Sequence, residues 1–186
     1  MYRITLGTLG LILCINLINA QEKRVSITLA YPFAVGETYL KNQDVAADLG
    51  LGIRVFQTEL LSIGVSGNVG YYSDSRTLGS RKLKEKTWLI QPRAFAELHS
   101  SSLGGLRPFV GAGYSFLSDK SENFDGNPNS NAGGLNLNLG TAYNFSSRFF
   151  VHLQYDYVNV SRGNQNQRVD LFQKINLLKL GVGINL

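Results

Sequence analysis

Eight stretches of this chain, one after another, alternate apolar and polar residues with a period of two. Side chains of a β-strand point alternately to its two faces, so each stretch predicts a strand with one apolar face. The clearest stretch sets Leu135, Leu137 and Leu139 against Asn136 and Asn138. One such stretch is common in proteins, whereas eight in succession predict an all-β fold. The stretches are residues 25–33, 47–55, 63–71, 88–98, 110–116, 135–143, 151–157 and 178–186.

The links between these stretches alternate in length. Residues 34–44, 73–86, 117–133 and 161–173 form long links, and residues 57–60, 100–106 and 146–148 form short ones. A soluble meander has no reason to keep its long loops at one end, whereas outer-membrane barrels combine short periplasmic turns with longer outer loops. The sequence therefore predicts an eight-stranded antiparallel up-and-down transmembrane β-barrel, with both termini at the periplasmic end.

Aromatic residues cluster where the predicted strands end. Beside the long links lie Phe33, Tyr71, Tyr72, Trp88, Tyr114, Phe116, Tyr155 and Tyr157, and beside the third short link lie Tyr143, Phe145 and Phe149. Amphipathic rings suit the headgroup level of a bilayer, so the two groups predict two aromatic girdles around an apolar band.

The polar face of the stretches decides whether water or lipid surrounds the barrel. It consists mainly of Gly, Ser and Asn, in a chain with 20 glycines and only 17% charged residues. A soluble lipid-binding barrel turns its polar face to water, and such a face is usually rich in Lys and Glu. Small polar residues instead suit the interior of an eight-stranded barrel, which side chains can just fill. The favoured prediction is lipid outside and a filled lumen without an open pore, and a soluble periplasmic or secreted lipid-binding barrel is the alternative.

The few charged residues on the polar face predict a network inside the lumen. Six of them, three acidic and three basic, sum to zero, which suits pairing because an unpaired buried charge costs several kcal/mol. Arg54 and Glu97 both fall toward the short-link end, so their charged groups are expected within about 6 Å of each other. The predicted network consists of Asp48, Arg54, Arg93, Glu97, His152, Asp156 and Lys179.

Pro92 lies midway along the fourth stretch. Proline cannot donate a hydrogen bond to a β-ladder, and a closed barrel has no edge strand to accommodate it. A bulge or break is therefore expected at Pro92, and an unbroken strand there would mean that the register of this stretch is wrong.

The first 20 residues predict a secretory signal peptide, which leaves residues 21–186 as the barrel domain. Arg3 supplies the positive start, an apolar run follows, and Ala20 is the small residue before the cleavage point. Cys14 raises the alternative of a lipoprotein, but Leu13 stands before it where a small residue is needed. The mature chain carries 17 basic and 13 acidic residues and no cysteine, so no disulfide is expected. The basic residues are spread along the chain, which argues against nucleic-acid binding.

The last strand ends with Gly181, Ile184 and Leu186. This ending resembles the C-terminal signal by which outer-membrane barrels are handed to their insertion machinery, although Leu186 stands where Phe is usual. With the export signal, the strand number and the link pattern, the chain resembles the small outer-membrane β-barrel family typified by OmpX and the OmpA transmembrane domain. The resemblance implies a Gram-negative outer membrane and a plugged lumen. It implies no single activity, because members include adhesion, envelope-structure and resistance proteins.

Residues that could support catalysis or bind a metal are few. The histidines are His99 and His152, without the spacing of a metal site, so no metal, no other cofactor and no catalytic residue are predicted. Some eight-stranded outer-membrane proteins are lipid A-modifying enzymes that use a His with a Ser near the outer end of the barrel. Both histidines here fall toward the periplasmic end, so such an enzyme is the third alternative. Residues 119–125 have the oxygen spacing of a calcium loop, but Phe124 stands where Gly is needed.

The long link 73–86 is basic. Its cations are Arg76, Arg81, Lys82, Lys84 and Lys86, against Asp74 and Glu85. An outer loop of this charge is expected to attract the phosphates of lipopolysaccharide. The sequence as a whole predicts a monomeric integral outer-membrane protein whose structural or surface-interaction role is performed by its outer loops, with an extracellular partner that the sequence does not identify.

Overall fold

The computed structural model describes residues 24–38, 40, 44–78, 81–122, 130–161 and 174–186. The predicted signal peptide lies outside the described residues. A turn of 3₁₀ helix, Ser101–Leu103, lies in the link between the fourth and fifth strands. The strands are β1 (Val25–Ala34), β2 (Asp44–Gln57), β3 (Leu61–Leu78), β4 (Arg81–Leu98), β5 (Leu106–Glu122), β6 (Ser130–Asn144), β7 (Phe149–Ser161) and β8 (Lys174–Asn185).

The eight strands form a closed antiparallel barrel. Each strand pairs with its neighbours in the chain, and β1 pairs with β8, where Ser26 lies opposite Asn185. Each of the eight alternating stretches coincides with one strand, except that Leu186 follows the last residue of β8, so the predicted all-β, eight-stranded up-and-down barrel is confirmed. In the described part of the chain, no helix has the length and apolar character needed to cross a membrane.

The alternation sorts the side chains between the two surfaces of the barrel. In β6, Leu135, Leu137 and Leu139 are exposed on the outside, whereas Asn136 and Asn138 are buried inside. The same sorting holds along the middle of the other strands, so the outer surface there is apolar and the interior is mainly polar. A soluble lipid-binding barrel has the reverse arrangement, with its apolar residues around an internal ligand.

Outward-facing aromatic rings pack in pairs near the long-link ends of the strands. Tyr71 lies 4.9 Å from Trp88, and Tyr114 lies 5.0 Å from Phe116, measured between ring centres. Tyr72 is different, because it is fully buried inside the barrel. The assignment of Tyr72 to the outer girdle is therefore wrong.

Two of the predicted long links are mostly strand. β3 continues to Leu78 and β4 begins at Arg81, within the predicted link 73–86. Likewise, β5 continues to Glu122 and β6 begins at Ser130, within the predicted link 117–133. The paired backbones extend past the apolar band because ladder hydrogen bonds satisfy N–H and C=O groups whatever side chains they carry. Residues 123–129, the later part of the calcium-like sequence, lie outside the described residues.

Pro92 lies inside β4 without a bulge, so the predicted bulge is wrong, and the predicted break is confined to the ladder with β5. β4 pairs with β3 in one unshifted register that places Gly67 opposite Pro92. Against β5 the ladder stops after Ile90 and resumes at Arg93 with the register unchanged. The missing donor therefore interrupts the ladder on one side without displacing the strand. Arg93 still points inside, so the register predicted for this stretch is right.

Candidate functional site in the barrel lumen

The inward-facing side chains form three layers along the lumen. An apolar layer lies toward the long-link end, a cluster of paired charges lies in the middle, and a second charged cluster lies toward the short-link end. Every second residue of each strand contributes to these layers, because alternate side chains of a barrel strand face the lumen. Each layer draws on strands from different sides of the barrel, so each crosses the lumen.

The middle layer, here the central cluster, consists of Asp48, Arg93, Asp156 and Lys179. The Nζ atom of Lys179 lies 2.6 Å from Oδ2 of Asp48 and 2.9 Å from Oδ2 of Asp156. The Nη2 atom of Arg93 lies 2.7 Å from the same oxygen of Asp156. All four side chains are at most 1% exposed. Two positive and two negative charges are thus buried together, which offsets much of the cost of removing each from water.

Amide side chains complete the hydrogen bonding of the central cluster. Asn68 and Gln154 each donate to one of its two carboxylates, and Gln91 accepts a hydrogen bond of 3.1 Å from Nζ of Lys179. Buried charges need such partners because an interior of low dielectric constant penalises every unmet donor or acceptor. A search for charged residues misses these amides, although their inward strand positions could have identified them.

Glu97 holds together the layer near the short links, here the short-turn cluster, which also contains Arg54, Arg107 and His99. Its Oε1 atom lies 3.0 Å from Nη2 of Arg54, 3.1 Å from Nη1 of Arg107 and 3.2 Å from Nε2 of His99. Arg54 and Glu97 thus meet, as their strand positions predict. Arg54 also donates to Oδ1 of Asn185 at 3.4 Å, which ties the cluster to the last strand.

Arg107 is a member of this cluster that the sequence analysis missed. It follows the first residue of β5, at the boundary of a predicted link, and was not assigned to a strand face. Its separation from Gly111 and Ser115 by even numbers of residues places it on the inward face, and this signal could have identified it. Its guanidinium carbon also lies 4.9 Å from the centre of the Phe150 ring, a distance at which a cation and a ring attract each other.

The layer near the long links, here the outer apolar cluster, is a packed group of buried apolar side chains. Strands β3, β4, β5, β7 and β8 all contribute to it. The polar inward face that the alternation predicts is therefore replaced by an apolar one at this end of the barrel. The members are Leu40, Tyr72, Leu89, Leu117, Val158, Val160, Ile175 and Leu177.

Leu40 reaches the outer apolar cluster from the link between β1 and β2, and Thr38 fixes that link to β8. The Thr38 hydroxyl donates to the carbonyl of Lys174 at 3.2 Å and accepts from the N–H of Asn176 at 3.1 Å. The N–H of Val35 donates to the carbonyl of Asn176 at 3.1 Å. These bonds hold the segment against the start of β8, and Leu40 packs in the outer apolar cluster.

The remaining predicted site residues lie in β7, β8 and at the chain end. His152 is buried and faces the lumen, but its Nδ1 has no hydrogen-bond partner among the described residues. Gly181 gives it room, because a β-carbon there would lie 2.5 Å from Cε1 of His152. Ile184 is paired with β1, and the N–H of Leu186 donates to the carbonyl of Val25 at 2.8 Å. The predicted insertion signal therefore lies where the barrel closes.

Ser62 and His99 approach each other near Glu97, but not in the arrangement of a catalytic triad. The Ser62 hydroxyl lies 2.7 Å from Nε2 of His99, and Glu97 contacts that same nitrogen. In a triad the nucleophile and the carboxylate occupy opposite nitrogens of the imidazole. Among the described residues, no group of three or more His, Cys, Asp or Glu side chains could hold a metal ion.

His99 lies in the turn after β4, and its surroundings disfavour the charged form. Partial burial lowers the pKa of His99 below its ordinary value of 6.5. The Glu97 carboxylate opposes this shift, and the Arg107 and Arg54 guanidinium groups add to it. The unfolded chain therefore binds a proton at a higher pH than the folded barrel does. We expect the free energy of unfolding to fall as the pH drops below about 6.5, until the folded barrel also takes up the proton.

The variant His99→Gln, which cannot titrate, should lose that component of the pH dependence. Urea unfolding of both proteins in the same detergent, at several pH values between 7.5 and 5, measures the difference. Identical slopes for the two proteins would contradict the assignment to His99.

The sequence and the fold were compared with known proteins. The sequence model of the family described as "Outer membrane protein beta-barrel domain" matches residues 9–185. A search of curated protein sequences finds no match.

Among solved structures, the N-terminal β-barrel domain of Pseudomonas aeruginosa OprF is similar, with 20% identity and a TM-score of 0.55, over 89% of this chain and 98% of that one. Neisserial surface protein A (NspA) has 17% identity and a TM-score of 0.57, over 87% of this chain and 96% of that one. Ail, the attachment invasion locus protein of Yersinia pestis, has 15% identity and a TM-score of 0.59, over 88% of this chain and 97% of that one. At these identities the likenesses establish a shared fold.

Proposed function

The chain belongs to the outer membrane protein β-barrel family, which places it in the outer membrane of Gram-negative bacteria, and we propose that it acts there as a closed barrel. Its role in this proposal is structural or one of surface interaction, in envelope integrity or adhesion. The observation that supports it best is the filled lumen, which both the central cluster and the outer apolar cluster cross. Such a barrel offers no aqueous path, so its function falls to the surfaces outside the bilayer.

A closed lumen predicts a result in planar bilayers. The purified, refolded protein should give no large, stable single-channel currents, because ions would have to cross both a paired-charge layer and an apolar layer. A porin reconstituted under the same conditions is the positive control. Steady conductance steps of porin size would contradict the proposal of a closed barrel.

The long-link end supplies a surface for lipopolysaccharide, which we propose as the lipid partner. Lys82, Lys84 and Lys86 share the strand parity of Trp88 and Ile90, both exposed on the outside of β4. From this parity we expect the three lysines to lie on the lipid-facing side of the strand, above the aromatic level. Phosphates of the outer leaflet lie at that level, and each lysine near an anionic membrane surface contributes about 1 kcal/mol of attraction.

The hairpin contains its own control for this proposal. Arg76 and Arg81 have the opposite strand parity, so replacing both with Gln should leave lipopolysaccharide binding largely unchanged. The triple variant Lys82→Gln, Lys84→Gln, Lys86→Gln should bind it roughly a hundredfold more weakly, as expected from about 1 kcal/mol per lysine. Titration of refolded barrels with lipopolysaccharide at low salt measures both variants. Equal losses in the two would contradict a lipid-facing lysine site.

We also propose that Gly181, Ile184 and Leu186 are read by the barrel-insertion machinery during assembly. Their place in the strand that closes the barrel supports this, since β8 must pair with β1 before the barrel is complete. In this proposal the signal acts before folding, and the same residues then become part of the wall.

A further inference from the structure

Two lysines of neighbouring strands lie directly opposite each other at the long-link end of the barrel. Lys86 of β4 pairs with Lys120 of β5 in the ladder between these strands. Lys86 shares the strand parity of Trp88, and Lys120 shares that of Phe116, two rings that are exposed on the outside. Lys120 is itself exposed, and Lys86 is partly exposed. Both lysines therefore face the surroundings of the barrel at one level.

The charges at this ladder position differ from those at the neighbouring outward position. There Lys84 pairs with Glu122, so that position combines opposite charges, whereas Lys86 and Lys120 combine like charges. Residues directly opposite each other have their β-carbons about 4.5–5.5 Å apart, and like charges so placed destabilise a ladder. An anion that contacts both ammonium groups offsets their repulsion. Two ammonium groups at such a separation can both donate to the oxygens of one phosphate.

From the lysine pair toward the middle of the barrel, the outward face becomes aromatic and then apolar. Two residues along β4 from Lys86, Trp88 packs against Tyr71 of β3, with 4.9 Å between the ring centres. Two residues further, Ile90 lies opposite Phe116 of β5. Successive outward residues are about 7 Å apart along a strand. The surface thus passes from cationic through aromatic to apolar within about 14 Å of strand.

The order of these three levels matches the order of groups in a lipopolysaccharide molecule, whose phosphates are carried on sugar rings above the acyl chains. Amphipathic rings such as Trp88 favour the headgroup level of a membrane. Ser73 of β3 lies opposite Lys86 and adds a hydroxyl at the level of the lysines. A free phosphate ion would contact the lysine level alone, so the continuity of the three levels favours a lipid.

We infer that the pair Lys86 and Lys120 binds one phosphate group of lipopolysaccharide, an inference that rests on the proposed lipid partner and gives it a defined contact. The phosphate oxygens accept hydrogen bonds from Nζ of both lysines. The sugar that carries the phosphate lies against Trp88, and the acyl chains lie along Ile90 and Phe116. The site therefore needs Lys120, which lies outside the basic link.

Single substitutions test the pair against an exposed lysine elsewhere at the same end of the barrel. Lys86→Gln and Lys120→Gln should each weaken lipopolysaccharide binding to the refolded barrel by at least about tenfold, because each removes a hydrogen bond between charged groups. Lys174 is the matched control, since it is exposed and lies opposite Asn159. At 0.15 M salt, which screens charges more than about 8 Å apart, Lys174→Gln should weaken binding by about twofold or less. Equal losses in Lys120→Gln and Lys174→Gln would overturn the phosphate site.

Lipopolysaccharide stripped chemically of its phosphates tests which group the pair holds. The wild type and Lys120→Gln should bind this lipid equally, because the group that distinguishes them is gone. A tenfold difference that persists without phosphate would show that the pair contacts another group, and the inference would be wrong. A wild type that does not bind intact lipopolysaccharide would refute the lipid partner itself, whereas normal binding that ignores Lys120 would refute only the phosphate site.

Unfolding in a neutral detergent without lipopolysaccharide checks the folded state of the variants. Lys120→Gln removes a like-charge pair, so it should be at least as stable as the wild type. A loss of stability in this variant would contradict the repulsion from which the site is argued.

Discussion

Replacing Lys179 with Met is expected to lower the free energy of unfolding by about 3–5 kcal/mol, the usual cost of removing one partner from a buried ion pair. Methionine keeps most of the volume of lysine but removes its charge. The carboxylates of Asp48 and Asp156 both lie within 3 Å of the lysine nitrogen, so both lose their contact with it. Asp156 keeps Arg93, whereas Asp48 keeps the amide of Asn68. The larger penalty therefore falls on Asp48.

Lys174 provides the matched control, because it lies in the same strand but is exposed. Lys174→Met should change the free energy of unfolding by less than about 0.5 kcal/mol, as most exposed substitutions do. Urea titrations of both variants in one detergent or lipid vesicle, followed by tryptophan fluorescence of Trp88, give the comparison. Equal effects of the two substitutions would mean that the central cluster contributes nothing specific to stability.

A double variant separates charge from packing. Adding Asp48→Asn to Lys179→Met removes the carboxylate that the first change leaves without its cation. The double variant should therefore be less destabilised than the sum of the two single ones, with a coupling of about 0.5–3 kcal/mol. Strict additivity would show that the charges of Lys179 and Asp48 are not coupled.

The fold could be predicted because one physical rule governs most of it. Alternate side chains of a barrel strand face different surroundings, so the composition of each face reveals which surroundings it meets. In β6 this rule places Leu137 outside and Asn138 inside, as observed. The same rule brings Arg54 and Glu97 to one level of the lumen. Their contact follows because few charges lie at that depth.

The rule fails where both faces of a strand are apolar. Leu89 and Ile90 are neighbours of similar character, yet Leu89 is buried in the outer apolar cluster and Ile90 faces outward. Only the register set by the rest of β4 distinguishes them. The composition of this end therefore gives no sign that the lumen is closed by packing as well as by charge. The link carrying Leu40 escapes prediction for a different reason, since its position depends on hydrogen bonds of Thr38 to a strand far away in the chain.

The strand ends escape prediction because the solvent changes there. Within the hydrocarbon an outward side chain must be apolar, but beyond it the same strand can carry lysines, as β4 does from Lys82 to Lys86. The loss of alternation therefore marks the edge of the membrane and not the end of the strand. The same reasoning predicts that a charged substitution has different effects inside and outside the apolar band of the outer surface.

Leu139 and Leu60 allow a direct test of that boundary, because each is 62% exposed in the isolated barrel. Leu139 lies midway along β6, between the levels of Tyr143 and Tyr114, whereas Leu60 lies at the turn between β2 and β3. We expect Leu139→Arg to destabilise the barrel in lipid vesicles by about 2–4 kcal/mol, and Leu60→Arg by only about 0–1 kcal/mol.

The contrast between these two variants depends on the surrounding solvent more than on contacts within the protein. A guanidinium at Leu139 must enter hydrocarbon or distort the bilayer around it, while one at Leu60 reaches water or headgroups at once. Unfolding in vesicles of fixed composition measures both changes under the same conditions. If water covered the leucine-rich surface, the two substitutions would have similar, small effects, because both side chains are mostly exposed. A difference of several kcal/mol between them therefore requires that lipid covers the middle of this surface.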